Sequence, residues 1–102
     1  MQFKDKIVLI TGGTSGIGKA TAIAFAREGA KVVITGRREK EGKAVVNEIT
    51  HIGGRAEYFL SDVSKEADAK AAVEFTVKTF GKLDIAFNNA GIEGEFKRVR
   101  LF

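Results

Sequence analysis

The sequence has no cysteine, and histidine, tyrosine and methionine each occur once in its 102 residues. Without cysteine the chain can form neither a disulfide framework nor a thiolate metal site. A lone His51 cannot build a metal site by itself, and we expect it near the end of a helix. No apolar run is long enough to span a membrane, and Met1 leads straight into a charged segment. We therefore expect no secretory signal, no membrane contact and a cytoplasmic protein.

The net charge of +4 and the isoelectric point near 9.5 raise the question of nucleic-acid binding. Lys97, Arg98 and Arg100 supply three of the 17 basic residues, which leaves 14 basic against 13 acidic residues over positions 1–96. Lysine and glutamate are interspersed there, as on an ordinary solvated surface. The basic excess belongs to the end of the chain, and nucleic acid is not an expected partner.

A glycine-rich segment is the clearest motif, with the sequence Thr-Gly-Gly-Thr-Ser-Gly-Ile-Gly over residues 11–18. It follows a continuous apolar run at residues 6–10, which is typical of a parallel strand covered on both faces. Glycines at 12, 16 and 18 allow a sharp turn, a close approach to a ligand and tight packing of the next helix. The start of that helix offers unpaired N–H groups to an anion. The segment therefore predicts a phosphate site; the alternative is a plain connecting turn.

The same segment also fits most of a second phosphate motif, the P-loop of nucleotide triphosphatases. Residues 13–19 match its first seven positions, G-x-x-x-x-G-K. The eighth position should be a serine or threonine that binds Mg²⁺, but here it is Ala20, and Thr21 is rotated by about 100° around the helix. The missing metal ligand disfavours the triphosphatase reading.

Strand-like and helix-like segments alternate along the rest of the chain. Further strands are predicted at residues 31–35, 56–60 and 83–87. The first helix should end near Gly29, the second should span residues 39–51, and Ser64 is the expected cap of a third that stops at Gly81. The expected inward-facing residues are Ile17, Ala20 and Ala24, then Val45, Val46 and Ile49, then Ala69, Val73, Val77 and Phe80. Short strand–helix connections predict a parallel sheet with right-handed crossovers.

Two further motifs carry a family resemblance, Asp62-Val63 after the third strand and Asn88-Asn89-Ala90-Gly91 after the fourth. Together with the glycine-rich segment they make the chain similar to short-chain dehydrogenases/reductases over about residues 3–96. The resemblance implies an α/β fold: a Rossmann-type three-layer parallel sheet, incomplete here as βαβαβαβ, with strand order 3-2-1-4. It also implies a nicotinamide dinucleotide as cofactor.

By the same resemblance, matching positions take cofactor-binding roles. The residues implied to line the pyrophosphate are Gly12, Thr14, Ser15, Gly16, Ile17 and Gly18. Asp62 and Val63 would meet the adenine, although an isolated aspartate before a helix is more often a cap. Asn89, Ala90 and Gly91 would lie beside the ribose, while Asn88 would help to fix the strand.

The end of the second strand bears on the choice between NAD and NADP. Folds that use NAD place a carboxylate there for the ribose 2′-hydroxyl, whereas a 2′-phosphate needs a cation. Here Gly36 fills that position, and Arg37 and Arg38 follow. A guanidinium binds phosphate with paired charge-assisted bonds. We expect NADP(H) rather than NAD(H), with Arg37 the stronger candidate, against the alternative of two solvated arginines at a helix start.

The chain departs from the family pattern in its catalytic residues. The resemblance implies that catalysis in this family uses a Tyr-x-x-x-Lys pair, aided by a serine and an asparagine, with the tyrosine as general acid and base. The single tyrosine here is Tyr58, and Asp62 stands four residues later. We therefore assign no catalytic residue and expect Tyr58 to pack against a helix. Residues 1–96 read as the N-terminal part of a dinucleotide-binding domain, and residues 97–102 as a short basic tail, hypothetically out of frame in a truncated gene product.

Such a partial domain has expected physical consequences. The first two helices should cover one sheet face and the third the other, leaving the fourth strand as an open edge. Open edges promote association, so we expect marginal stability and self-association, whereas full-length relatives usually form homo-oligomers. Three functions remain open: an inactive NADP(H)-binding portion of an oxidoreductase, an active oxidoreductase completed by another chain, and a non-enzymatic nucleotide-binding or interaction module.

Overall fold

The computed structural model describes residues 2–12, 16–62, 66–88 and 98–101, and for Glu66 and residues 98–101 it describes the backbone. Strands and helices alternate through residue 88 as the sequence predicts, and residues 98–101 form a further strand that was not predicted. In chain order the elements are β1 (Ile7–Thr11), α1 (Gly16–Arg27), β2 (Lys31–Gly36), α2 (Glu39–His51), β3 (Arg55–Leu60), α3 (Glu66–Phe80), β4 (Ile85–Asn88) and β5 (Arg98–Leu101). His51 is the last residue of α2, as expected. None of the helices in these ranges is long and apolar enough to cross a bilayer.

The sheet has the order β3-β2-β1-β4-β5, and its first four strands are parallel. The predicted order 3-2-1-4 is confirmed. The expectation that the fourth strand is an open edge is wrong, because β5 pairs with β4 in antiparallel register, from Ile85 opposite Leu101 to Asn88 opposite Arg98. The unpaired N–H and C=O groups of an edge strand favour such a partner.

Alternating residues of the strands divide the core between the two faces of the sheet. Val8, Ile10, Val32 and Ile34 pack with buried residues of α1 and α2. On the opposite face, Leu9 and Val33 pack with Ala72 of α3 and with several half-buried aromatic side chains. The predicted distribution of helices, two on one face and one on the other, is confirmed.

The predicted inward stripe of α1 is wrong. Gly18, Ala22 and Ala26 are buried, whereas Ile17 is 60% exposed and Ala20 and Ala24 also face solvent. Small residues at every fourth position let the helix lie close against the sheet. The stripe therefore follows the smallest side chains of α1 rather than its largest apolar one.

The stripe of α3 also differs from the prediction in part. Ala72 and Thr76 are its fully buried residues, Val73 and Phe80 are half-buried, and Val77 is 43% exposed. Thr76 tolerates burial because its hydroxyl donates to the carbonyl oxygen of Ala72 at 2.8 Å. In α2 the prediction is confirmed for Val45 and Ile49, which are buried, while Val46 is half-buried.

Candidate cofactor site

The carboxyl ends of the parallel strands meet along one edge of the sheet. Thr11, the last residue of β1, pairs with Thr35 of β2 and with Asn88 at the end of β4. Gly36 pairs with Leu60, and these two residues end β2 and β3. In open α/β sheets ligands bind outside this edge, where the chain changes direction between strands. The segments after β1, β2 and β3 are thus brought together as the sequence predicts.

The segment after β1 begins with a glycine whose backbone favours no other residue. Gly12 has φ 71°, and its N–H donates to the carbonyl oxygen of Thr35 at 2.9 Å. Gly16, the first residue of α1, has φ 58°, so a side chain at that position would strain the backbone. Both glycines are needed to turn the chain from strand to helix within a few residues.

The N-terminus of α1 therefore lies at the carboxyl edge of the sheet. The first N–H groups of a helix have no partner within it, and together with the positive end of the helix dipole they attract a phosphate. Gly18 faces the sheet and is buried, which brings the first turn close to β1. Ile17, on the exposed side of the same turn, presents an apolar surface at this edge.

Lys19 also argues against a P-loop. Its ammonium nitrogen lies 2.9 Å from a carboxylate oxygen of Glu48 in α2. A P-loop lysine reaches toward the β- and γ-phosphates, whereas this one is directed along the outer surface to a neighbouring helix. Ala20 supplies no hydroxyl for a metal ion, so neither residue fits nucleotide triphosphate chemistry.

Two arginines follow β2 at the same edge. Arg37 and Arg38 are both exposed, and within the part of the chain that the structure describes neither forms an ion pair. Arg38 occupies the N-cap position of α2 with extended backbone, and its side chain makes no capping bond. No carboxylate stands at the end of β2, since Gly36 holds that place. The two guanidinium groups are thus available to an anion.

The segment after β3 is held by a residue that the sequence analysis missed. The carboxylate of Asp68, in α3, accepts the backbone N–H of Asp62 at 2.8 Å. The hydroxyl of Ser61 donates to the carbonyl oxygen of Asp68 at 3.4 Å. These contacts fix the backbone of Asp62, a half-buried residue, at the carboxyl edge. The aspartate two residues into α3 was the available signal, because acidic residues near helix starts often bind neighbouring N–H groups.

Asn88 lies where the resemblance implies. The hydroxyl of Thr11 donates to its side-chain oxygen at 2.8 Å, which ties the ends of β1 and β4 together. Other predicted residues fall outside the described part of the chain: Thr14, Ser15, Val63, Asn89, Ala90 and Gly91. Among the described residues no group of three histidine, aspartate or glutamate side chains could hold a metal ion.

Comparison of the sequence with models of known protein families identifies the family of this chain. The family model of short chain dehydrogenases matches residues 6–101. The chain belongs to the short-chain dehydrogenase family.

Curated relatives resemble the chain over most of its length. A 3beta-hydroxysteroid dehydrogenase of Mediterraneibacter gnavus is 49% identical over 98 residues, which are 96% of this chain and 36% of that protein. An A-factor type gamma-butyrolactone 1'-reductase of Streptomyces virginiae is 55% identical over 84 residues, 82% of this chain and 33% of the relative. The chain thus spans about a third of the length of these relatives.

Solved structures share the same fold. A Serratia marcescens short-chain dehydrogenase/reductase mutant superimposes with a TM-score of 0.87 at 34% identity, over 90% of this chain and 38% of that one. A metagenomic short-chain oxidoreductase in complex with NADP gives a TM-score of 0.84 at 33% identity, over 90% of this chain and 42% of the other. The Rossmann-type architecture predicted from the sequence is confirmed.

Proposed function

We propose that this chain is the NADP(H)-binding part of a short-chain oxidoreductase that transfers hydride between a nicotinamide cofactor and an alcohol or carbonyl substrate. The observation that carries the proposal is the carboxyl edge of the sheet. There a helix N-terminus stands beside two arginines, and a glycine occupies the place where a carboxylate would select NAD.

The charges of the described residues support a dinucleotide as the ligand. The first turn of α1 would receive the pyrophosphate, because the first N–H groups of a helix have no partner within it. Gly12 would let the backbone come close to it. Arg37 and Arg38 would bind the 2′-phosphate, and Asp62 would accept the exocyclic amine of the adenine. Because Gly36 carries no carboxylate at the end of β2, a 2′-phosphate meets no charge repulsion from that position.

The resemblance to the family implies that turnover depends on a Tyr-x-x-x-Lys pair. No Tyr-x-x-x-Lys pair occurs in the sequence, and Tyr58 lies in β3, against the core. We propose that the chain binds cofactor without hydride transfer of its own. The names of the relatives, a 3beta-hydroxysteroid dehydrogenase and a gamma-butyrolactone 1'-reductase, support an alcohol or carbonyl compound as the substrate of the oxidoreductase. The second candidate is a binding module without catalysis; it is favoured by the same missing pair.

The deciding experiment is a fluorescence titration of the 102-residue chain with NADPH and with NADH. Arg37→Ala should weaken NADPH binding by about tenfold or more, since a charge-assisted hydrogen bond to phosphate is worth roughly 1.5–3 kcal/mol. The affinity for NADH should change by less than about twofold, because NADH carries no 2′-phosphate for the lost guanidinium to bind.

Arg27→Ala is the matched control, since Arg27 is an exposed arginine in the last turn of α1, away from the carboxyl edge. Equal affinity of the unaltered chain for the two cofactors would refute the NADP(H) preference. Hydride transfer to a ketone by the purified chain alone would refute the absence of turnover, and turnover that appears on adding a second chain would favour completion by a partner.

A further inference from the structure

The hydroxyl of Tyr58 forms a hydrogen bond to the backbone at the end of β2, just before Arg37 and Arg38. It donates to the carbonyl oxygen of Gly36 at 2.6 Å, and the N–H of Ser61 donates to the same oxygen at 3.0 Å. Since a peptide unit is planar, fixing the oxygen of Gly36 also fixes the N–H of Arg37. Tyr58 thereby sets the direction in which the chain leaves β2.

The ring of the same tyrosine supports the other end of the two-arginine segment. It lies directly on Gly42 in α2, where a Cβ atom would overlap the ring carbons. The N–H of Gly42 donates to the carbonyl oxygen of Arg38 at 3.0 Å, which is the first bond of the helix. Arg37 and Arg38 thus lie between two backbone anchors, Gly36 and Gly42, and one side chain contacts both.

The hydroxyl stays a donor over the range in which cofactors bind. Burial raises the pKa of Tyr58 above its usual value near 10, and the nearby carboxylates of Glu39 and Glu41 raise it further. The bond to Gly36 is therefore present at neutral pH. Its acceptor is a backbone atom, so the contact constrains the course of the chain and leaves the arginine side chains free for a ligand.

We infer that Tyr58 is a positioning residue for 2′-phosphate recognition, holding the backbone of Arg37 and Arg38 in the conformation that binds NADP(H). The inference rests on the proposed function and goes beyond it, because it assigns part of the cofactor preference to a side chain that touches no cofactor. Removal of the Tyr58 hydroxyl should therefore lower the affinity for NADPH, which carries the 2′-phosphate, and leave the affinity for NADH nearly unchanged.

Tyr58→Phe tests this with the smallest change, since the ring stays on Gly42 and the hydroxyl alone is removed. The dissociation constant for NADPH should rise by about fivefold, roughly the factor that one net hydrogen bond is worth. That for NADH should change by less than about twofold, because the backbone around the 2′-position carries no phosphate contact in that complex. Thr76→Val is the matched control: it removes a buried hydroxyl in α3 and should leave the ratio of the two affinities unchanged.

A double variant separates positioning from general destabilisation. When Arg37 is already alanine, removal of the hydroxyl should change the affinity ratio by clearly less than about fivefold, because part of its effect acts through the phosphate contact of Arg37 and only the part that acts through Arg38 remains. The inference would be overturned if Tyr58→Phe weakened the binding of NADPH and NADH equally, or if the two substitutions lowered the affinity ratio additively in the double variant. Either result would leave the proposed function intact. Failure of the unaltered chain to prefer NADPH would instead refute the proposed function.

Discussion

Single polar side chains link the ends of β1 and β4. At the amino ends of the strands, a carboxylate oxygen of Asp84 accepts the N–H of Ile7 at 2.8 Å, and the N–H of Asp84 donates to the carbonyl oxygen of Ile7 at 3.0 Å. Lys82 lies 3.3 Å from the same carboxylate oxygen. At the carboxyl ends, Thr11 and Asn88 form the corresponding link. β1 and β4 are therefore joined by side chains at both of their ends.

Asp84 predicts how stability depends on pH. The N–H of Ile7 lowers the pKa of its carboxyl group, burial opposes this, and Lys82 and Lys6 lower the pKa further. A folded-state pKa below the unfolded value near 4 contributes stability that is present above about pH 4 and is lost as the pH falls through the folded value. In Asp84→Asn the free energy of unfolding, measured by urea titration, should therefore fall less steeply below pH 4 than in the unaltered chain.

The control for this experiment is Glu74→Gln, which removes an exposed carboxylate from α3. It should retain the acid sensitivity of the unaltered chain. A steep acid transition that persists in Asp84→Asn would show that other carboxylates dominate the low-pH loss of stability.

The placement of the described candidate residues at one edge of the sheet could be predicted from the sequence, whereas the contacts that hold them could not. Parallel strands in the order 3-2-1-4 place Gly12, Arg37 and Asp62 at one edge, because Gly12 and Arg37 directly follow β1 and β2, and Asp62 comes two residues after the end of β3. The bond from Asp68 to Asp62 depends on the angle at which α3 begins. The bond from Tyr58 to Gly36 depends on how closely α2 approaches β3, which periodicity does not encode.

At the scale of elements, side-chain size decides which prediction succeeds. α2 was predicted with correct bounds because its large residues Val45 and Ile49 mark an unambiguous inward face. In α1 most apolar residues are alanines on all sides, so the pattern cannot rank them, and the close packing of Gly18 and Ala22 on the sheet decides the face. Glycine within a helix costs about 1 kcal/mol relative to alanine, so Gly42 was a signal for the close contact with Tyr58.

The corrected face of α1 predicts opposite outcomes for two neighbouring alanines. Ala22→Leu should lower the free energy of unfolding by about 1–3 kcal/mol, because Ala22 is fully buried and the added atoms have no space. Ala24→Leu should change it by less than about 0.5 kcal/mol, since Ala24 is exposed. Urea titrations of both variants measure the difference. Similar losses in both would contradict the face that the structure assigns to α1.

At the scale of the whole molecule, the two faces of the sheet are unequally covered. Two helices pack on one face and one helix on the other, where Leu9 and Val33 belong to the smaller of the two buried clusters. A chain of this size buries a modest fraction of its surface. Leu60, the last residue of β3, is 57% exposed, so apolar surface also remains beside the candidate cofactor site.

This asymmetry predicts marginal stability that the cofactor should increase. We expect a broad thermal transition that depends on protein concentration, with a free energy of unfolding at or below about 5 kcal/mol. NADPH at 100 times its dissociation constant should add about 2.7 kcal/mol, a shift of several degrees, whereas NADH at the same concentration should add less. Scanning calorimetry with each cofactor measures both effects. A sharp two-state melt of monomeric protein without cofactor would contradict the expectation.

The contact between Tyr58 and the carbonyl of Gly36 has a consequence for engineering. Because Tyr58 donates its hydrogen bond to a main-chain oxygen, this contact with the segment 36–38 does not depend on the side chains of that segment. On the inference above, Tyr58 and Gly42 determine the backbone conformation of the segment 36–38, whereas the side chains of residues 36–38 determine its charge. On the proposed NADP(H) preference, a designer who wants NAD(H) binding can exchange residues 36–38 and keep Tyr58 and Gly42.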